Sequence, residues 1–537
     1  MLIGVDVGTG SARAGVFDDT GRLLGVGKHP VTMWQEPGEI VEQSSDQIWD
    51  AVCRAVRGAL AAADVAPQAI RGIGFDATCS LVVVGKDGEG VPVGPSGDPQ
   101  RNVIVWMDHR AHAEASEINA GGHAVLDYVG GRISPEMETP KLLWLARHMP
   151  QSFAKAAHFL DLSDYLTWRA TGQLARSSCT VTCKWTYLAH EGRWDARYFH
   201  AIGLGALADE GFARIGTEVV PPGTALGGLT AKAAADLGLH QGVTVAAALI
   251  DAHAGGLGTL GARLPGVTED PTRRLAYIFG TSACTMASTR AATPVPGVWG
   301  PYFGAMLPDL WLNEGGQSAA GAALDHLVHL HRDADAISRE AEANGVSLIS
   351  YVARHAATLG PTLSDTIRAA AEIVVVPEFL GNRSPFAEPD ARAVIAGLGL
   401  DRGMDSLAAL YLAGLSGIGY GLRQLLDHFN GQGIRIEAII ASGGAAQSDL
   451  ACQMLADSTG VPVALPTAPE PVLLGSAMLA AIASGLHPDA ATAMSAMTGD
   501  AQLFVPADGE LARLHAARFE AFAALQGAAR DLRAALR

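Results

Sequence analysis

The chain opens on a short apolar run, LIGVDV (residues 2–7), that breaks at Gly8-Thr9-Gly10 and resumes as a second extended stretch, Ser11–Phe17. Asp18-Asp19-Thr20-Gly21 has turn composition, and Arg22–Val26 reads as a third strand. The glycine loop therefore joins two strands of a hairpin. Phosphate and dinucleotide loops of the G-x-x-x-x-G-K-[ST] and G-x-G-x-x-G kinds need a strand-to-helix setting, so both are excluded here. Helical spacing follows over Ser45–Ala62. Ile70–Asp76 (IRGIGFD) and Leu81–Val84 read as buried strands, Pro140–Arg147 and Leu162–Ala170 as amphipathic helices, and Val243–Ile250 (VTVAAALI) as one apolar strand ending at Asp251.

The second half repeats the opening layout. Residues 262–274, with Pro265, Gly266 and Pro271, form a crossing between lobes. LAYIFGTSACTMAST then runs strand, small-residue turn (Gly280-Thr281-Ser282), strand. Near the end Ile436–Ala441 is a strand, Ser442–Ala446 a tight turn, and Gln447–Ser458 a helix stopped by Gly460. From about Gly485 onward the sequence is Ala-rich and helical, with the composition of an outer brace. Strands and helices alternate in two halves, which we divide at 1–260 and 261–537.

Composition sets the limits. A chain of 537 residues exceeds what one core supports, and with 49% apolar and 17% charged residues it has the material for two. A formal charge of −17 with no basic run disfavours a nucleic-acid partner. No apolar stretch has membrane-spanning length, and residues 2–7 do not read as a signal helix. Six scattered cysteines then suit reduced thiols in a cytoplasm. Cys179 and Cys183 have no second Cys or His pair at ligand spacing, so zinc is set aside. His326, His329 and His331 read as surface or packing residues, and His109, His112 and His253 receive no role.

One carboxylate, Asp6, stands beside a loop of anion-binding character. It would repel phosphate unless a metal ion lay between them. Asp251, where an apolar strand meets Gly255-Gly256-Leu257-Gly258, reads either as a helix cap or as a general base on a rigid mount.

Taken together, DVGTG, LIDAHAGGLG, FGTSACTM, FLGNRSP and ASGGAAQSD resemble the FGGY carbohydrate kinases, over Ile3 to about Ser484 and in family order. The resemblance implies an α/β fold of two actin-like ATPase (ribonuclease H-like) domains with a catalytic cleft between them. It implies ATP and Mg²⁺, with Asp6 and Asp251 at the metal and Asp251 as catalytic base. Gly8, Thr9, Ser11 and Arg13 match the first phosphate loop, Gly280, Thr281 and Ser282 the second, Gly381 and Asn382 a stretch near the nucleotide, and Gly443, Gly444, Ala445 and Gln447 the adenosine loop. Ala445 departs from the Gly that many members carry. Ala77, Thr78 and Cys79 lie in GFDATCSLVVV (residues 74–84), whose Thr78–Val82 (TCSLV) is similar to the D-ribulokinase branch, with Lys184, Glu314, Trp106 and Asp108 on the sugar side. The implied activity is phosphorylation of the C5 hydroxyl of D-ribulose. Other expectations are L-ribulose, ribitol or another pentitol as acceptor, a non-kinase actin-like ATPase as the distant alternative, and a homodimer.

Overall fold

The computed structural model describes residues 1–536. The first sheet is built from β1 (Leu2–Val7), β2 (Ser11–Phe17) and β3 (Leu23–Pro30). Helix α1 (Ser45–Ala63) covers it, capped by the Ser44 hydroxyl, which accepts from Gln47 N. It buries Ile48, Trp49, Val52 and Val56, and approaches β3 where that strand carries Gly25 and Gly27; a Cβ on Gly27 would stand 2.0 Å from Ala55 O. Next come β4 (Gly72–Ala77), the helix α2 (Ser178–Trp185), β5 (Ala225–Gly228), β6 (Thr244–Ala246), β7 (Leu249–Ile250) and the helix α3 (Asp251–Leu260). The spatial order is β5-β6-β4-β1-β2-β3, with β7 also on β4. β1 and β4 are parallel, placing Asp6 beside Asp76, while antiparallel β2 places Arg13 opposite Asp6.

The second sheet contains β8 (Arg274–Phe279), β9 (Ala283–Thr289), β10 (Trp299–Phe303), β11 (Trp311–Gln317) and β12 (Ala438–Ser442). After helix α4 (Asp449–Thr459) come β13 (Val463–Pro466), α5 (Pro471–Ala483), β14 (Ala501–Phe504) and the long α6 (Gly509–Ala535). Its order is β10-β11-β9-β8-β12-β13-β14. Each sheet thus carries a hairpin, β1–β2 or β8–β9, around a short small-residue loop.

Two helices lie between the sheets, and small residues set their distance. On α5, a Cβ added to Gly475 would meet Ala254 O of α3 at 1.9 Å. A Cβ on Gly4 of β1 would meet Leu473 O at 1.9 Å, and one on Gly74 of β4 would meet Ser476 O at 2.0 Å. Helix α5, late in the sequence, therefore packs backbone to backbone on the first sheet. On its other side α3 reaches the second sheet, with Gly255 against Ile278.

The structure redraws some expected elements. The apolar run 243–250 is two strands, because Ala247 pairs with Gly223 and Thr224 instead of continuing the ladder. The third strand begins at Leu23 and runs to Pro30. The helix expected from Gln447 starts at Asp449, where the Ser448 side chain caps it by accepting from Ala451 N. The tail beyond Gly485 is not all helix: β14 closes the edge of the second sheet against β13. Among the described residues no helix is long and apolar enough to cross a membrane.

Candidate active site

Three carboxylates converge where β1, β4 and β7 end. Asp6 and Asp76 are register partners, and Leu249 also pairs with Asp76, which brings Asp251, the first residue of α3, alongside. Asp76 is fully buried. It accepts from the Ser476 hydroxyl of α5 at 2.6 Å through one oxygen, and its other oxygen has no partner. Burial first, then the charges of Asp6 and Asp251, hold the Asp76 carboxyl well above its ordinary range. Burial and the Asp6 charge likewise raise Asp251 to about 6, against the hydrogen bond that its Oδ1 accepts from Ala252 N at 2.7 Å. Mutual repulsion and an orphaned buried oxygen are what a hard divalent cation relieves; the three carboxylates do not all close to within 4.8 Å of one another, so they suit Mg²⁺ that keeps part of its water shell. Asp251 opens its helix from the first turn; the cap position belongs to Ile250.

The first loop is held from several sides. Gly8 N donates to Ser11 O at 3.1 Å, and the second loop closes similarly, Gly280 N to Ser282 O at 2.9 Å. The Thr9 hydroxyl accepts from the Trp106 indole at 2.9 Å, which leaves its own proton free, and Thr9 O accepts from Gln43 Nε2 at 2.7 Å. Arg13 donates to Asp6 at 2.9 and 2.5 Å and to Glu470, just before α5, at 2.9 Å. Its guanidinium thus braces carboxylates from both halves of the chain in this structure. Ser11 lies at the start of β2, on the same loop.

The second loop and the adenosine loop adjoin. Gly443 has φ 93°, and a Cβ there would lie 2.6 Å from Phe279 O at the end of β8, so only glycine fits. Thr281 O accepts from Ala320 N and Ala322 N. Gly444, Ala445 and Gln447 form a single 3₁₀ turn, with Gln447 exposed; Ser282 follows Thr281 into β9. Gly381 has φ 83°. Both ends of the Asn382 amide bond within its own segment, Nδ2 to Glu378 at 2.6 Å and Oδ1 from Phe386 N at 3.1 Å, so Asn382 shapes this loop.

Lys184, at the end of α2, acts on Asp251, and Glu314, on β11, is held in turn by Lys184. Glu314 is pushed up by burial, but Lys184, His253 and Arg383 draw it down to about 2. Lys184 is raised although burial opposes this, through Cys79, Glu314 and Tyr302. Lys184 also acts on Asp251 and, with Arg383, on Glu136. Residues from the first half (Lys184, Asp251) and the second (Glu314, Arg383) therefore share one electrostatic neighbourhood. Burial pushes the Cys79 thiol up to about 12, so Cys79 is no nucleophile. Ala77 is buried at the end of β4, and Thr78 is tied down through its N–H to Val7 O at 3.0 Å.

Two residues expected on the sugar side are held by their neighbours. Asp108 is 0% exposed and committed to Arg110, at 2.7 Å, and to Val41 N, at 2.6 Å, so it organises the segment from beneath. Trp106 offers its indole N–H to Thr9, linking the sugar-side segment to the phosphate loop. Sequence reasoning missed Asp76, His253, Arg383 and Glu470. Asp76 and Arg383 lay inside the quoted stretches IRGIGFD and FLGNRSP; the partners of His253 and Glu470 lie too far along the chain for local spacing to show.

Comparison with known proteins agrees with this geometry. A family model described as the FGGY family of carbohydrate kinases, N-terminal domain, matches residues 1–258, and its C-terminal counterpart matches 275–484. An FGGY carbohydrate kinase domain-containing protein of Danio rerio is 45% identical over 489 residues, 90% of this chain and 89% of that protein. A D-ribulokinase of Saccharomyces cerevisiae is 38% identical over 513 residues, 90% of this chain and 72% of that one. The fold matches the crystal structure of xylulose kinase from Rhodospirillum rubrum with a TM-score of 0.79 at 23% identity, covering 99% of both chains.

Proposed function

Since the chain belongs to the FGGY family of carbohydrate kinases, we propose that it transfers the γ-phosphoryl group of ATP to the C5 hydroxyl of a ketopentose, D-ribulose, giving D-ribulose 5-phosphate. The observation that carries this reading is the position of Asp251, first residue of α3 beside the Leu249–Asp76 pairing and under the charges of both Asp6 and Lys184. The 38% identity to a yeast D-ribulokinase supports the choice of sugar.

Asp251 takes the proton of the sugar hydroxyl as it attacks in line. The Asp251 carboxylate is rigidly mounted at a helix start, and its raised affinity for a proton suits a base. Glu314 accepts from sugar hydroxyls and Lys184 donates to sugar oxygens, with Cys79 and Thr78 as the pocket wall. The hydroxyls of Thr9, Ser11, Thr281 and Ser282, on loops closed by the Gly8 and Gly280 N–H groups, face the phosphates, with Arg13 close by. Gly381 and Asn382 border the nucleotide, and Gly443, Gly444, Ala445 and Gln447 receive the adenosine. Asp6, Asp76 and Asp251 would hold Mg²⁺, which supplies charge neutralisation at the triphosphate. We place the division between the two domains at residues 260 and 261, and the location in the cytoplasm.

The test is a coupled ADP-release assay over a panel of pentuloses and pentitols. The expected result is D-ribulose with the highest kcat/KM. A preference for L-ribulose or ribitol would overturn the choice of sugar, and ATP turnover that no polyol stimulates would overturn the kinase reading.

A further inference from the structure

A line of buried polar groups beneath the sugar side of the cleft has no part in the chemistry described above. Cys179 and Cys183 lie one turn apart on α2, and His253 lies in the first turn of α3; all three are 0% exposed. Cys179 Sγ is 3.0 Å from His253 Nδ1 and accepts from Ile250 N at 3.4 Å. The other ring nitrogen, Nε2, has no hydrogen-bond partner and points at Glu314 Oε2, 3.6 Å away. An imidazole ring is oriented by the bond that one nitrogen makes, which decides what the other can offer.

We propose that Cys179 and His253 form a positioning relay for Glu314: the sulfur fixes the ring, and the ring holds the carboxylate in the orientation that receives the sugar hydroxyls. The relay rests on the reading of Glu314 as a sugar-binding residue. It also accounts for the orphaned Nε2, since a buried donor without an acceptor is costly and Glu314 is the acceptor within reach. At 3.6 Å the pair is longer than a hydrogen bond, and contacts of this kind tighten when substrate seats. Glu314 comes from the second sheet and His253 from α3, so the relay couples sugar binding to the seam between the halves.

The same atoms form a Cys-Cys-His triplet whose donors lie within 4.8 Å of one another. Tetrahedral zinc holds sulfur and nitrogen about 3.5 Å apart and takes a fourth ligand. Here Sγ and Nδ1 stand at 3.0 Å, no fourth protein donor joins them among the described residues, and complete burial leaves no opening for water. The spacing favours direct contact over an ion between them.

The experiment uses the full chain and the best acceptor found in the panel. Asparagine at position 253 carries an amide near the place of Nδ1, glutamine near that of Nε2. We expect Cys179→Ala and His253→Asn to raise the sugar KM by about tenfold, with the ATP KM within about twofold. Cys179→Ser and His253→Gln should recover most of the loss. Melting curves identify any variant that fails to fold, and the Asn–Gln comparison stands without the cysteine variants. Equal sugar KM for His253→Asn and His253→Gln, a parallel rise in the ATP KM, or one zinc per chain by emission spectrometry would each overturn the relay. If the panel selects another polyol, the D-ribulose reading falls and the relay is read on that polyol; if no polyol is phosphorylated, both fall.

Discussion

Replacing Gly475 with alanine tests whether the seam between the sheets sets the geometry of the reaction. The new Cβ would lie 1.9 Å from Ala254 O, and the obstacle is backbone, which no side-chain rotation can clear. Ordinary contact requires a retreat of about 1.5 Å by α3 or α5. Ala254 sits one turn after Asp251, so movement of α3 carries the carboxylate with it. Movement of α5 instead pulls Ser476 away from Asp76. A displacement near 1 Å costs on the order of 100-fold in rate, and overpacking costs about 1–3 kcal/mol of stability. The assay pairs kcat on the best sugar with a denaturant melt, using Gly527→Ala on α6 as control, where a Cβ meets nothing within 4 Å. Wild-type kcat and stability in Gly475→Ala would refute the argument that close helix contact positions Asp251.

Asp251→Asn is expected to keep ATP affinity within about threefold and to lower kcat by about 10²–10⁴-fold; near-normal turnover in a folded sample excludes the base role. His515, on the buried face of α6, is 1% exposed and meets the Tyr420 hydroxyl at 3.0 Å. Burial, then Arg518 and Arg423, lower its proton affinity from 6.5 to about 4. The unfolded chain takes up this proton near pH 6.5 and the folded one only near pH 4, so the contribution is complete above pH 6.5 and is lost as pH falls towards 4, by about 3 kcal/mol at the limit. His515→Gln should flatten the fall in denaturation midpoint between pH 7 and pH 4.5; an unchanged slope would show that another group governs it.

Much of the fold was readable because its signals are local. LIGVDV, Ser11–Phe17 and the helix after Ser44 carry their period and caps in neighbouring residues, and the structure places them within a residue of expectation. The break in 243–250 was hidden because Ala247 leaves the ladder for partners at 223 and 224. The strand 501–504 was hidden because a sheet edge, not local composition, makes it extended. At the site, motif glycines such as Gly443 announce themselves by what a Cβ would strike. The tertiary couplings do not. Asp108 looked like a ligand until Arg110 and Val41 were found on it, and Cys179 had no visible partner until α3 brought His253. The three histidines near 326–331 are surface or packing residues as read: His326 stacks edge-on against Phe379, His329 is exposed, and His331 meets the Ser406 hydroxyl at 3.2 Å.

The placement of α5 imposes an order on biosynthesis. β1 and β4 leave the ribosome long before the helix that seals one face of them, which ends at Ala483. At 5–20 residues per second, that face waits roughly 20–80 s for its cover. During the interval the nascent chain presents bare apolar strands to whatever is nearby. Emergence of α5, rather than completion of the amino-terminal half, is therefore the event that makes the young enzyme safe from aggregation, and chains stalled before Pro471 should bind an apolar dye that finished chains do not.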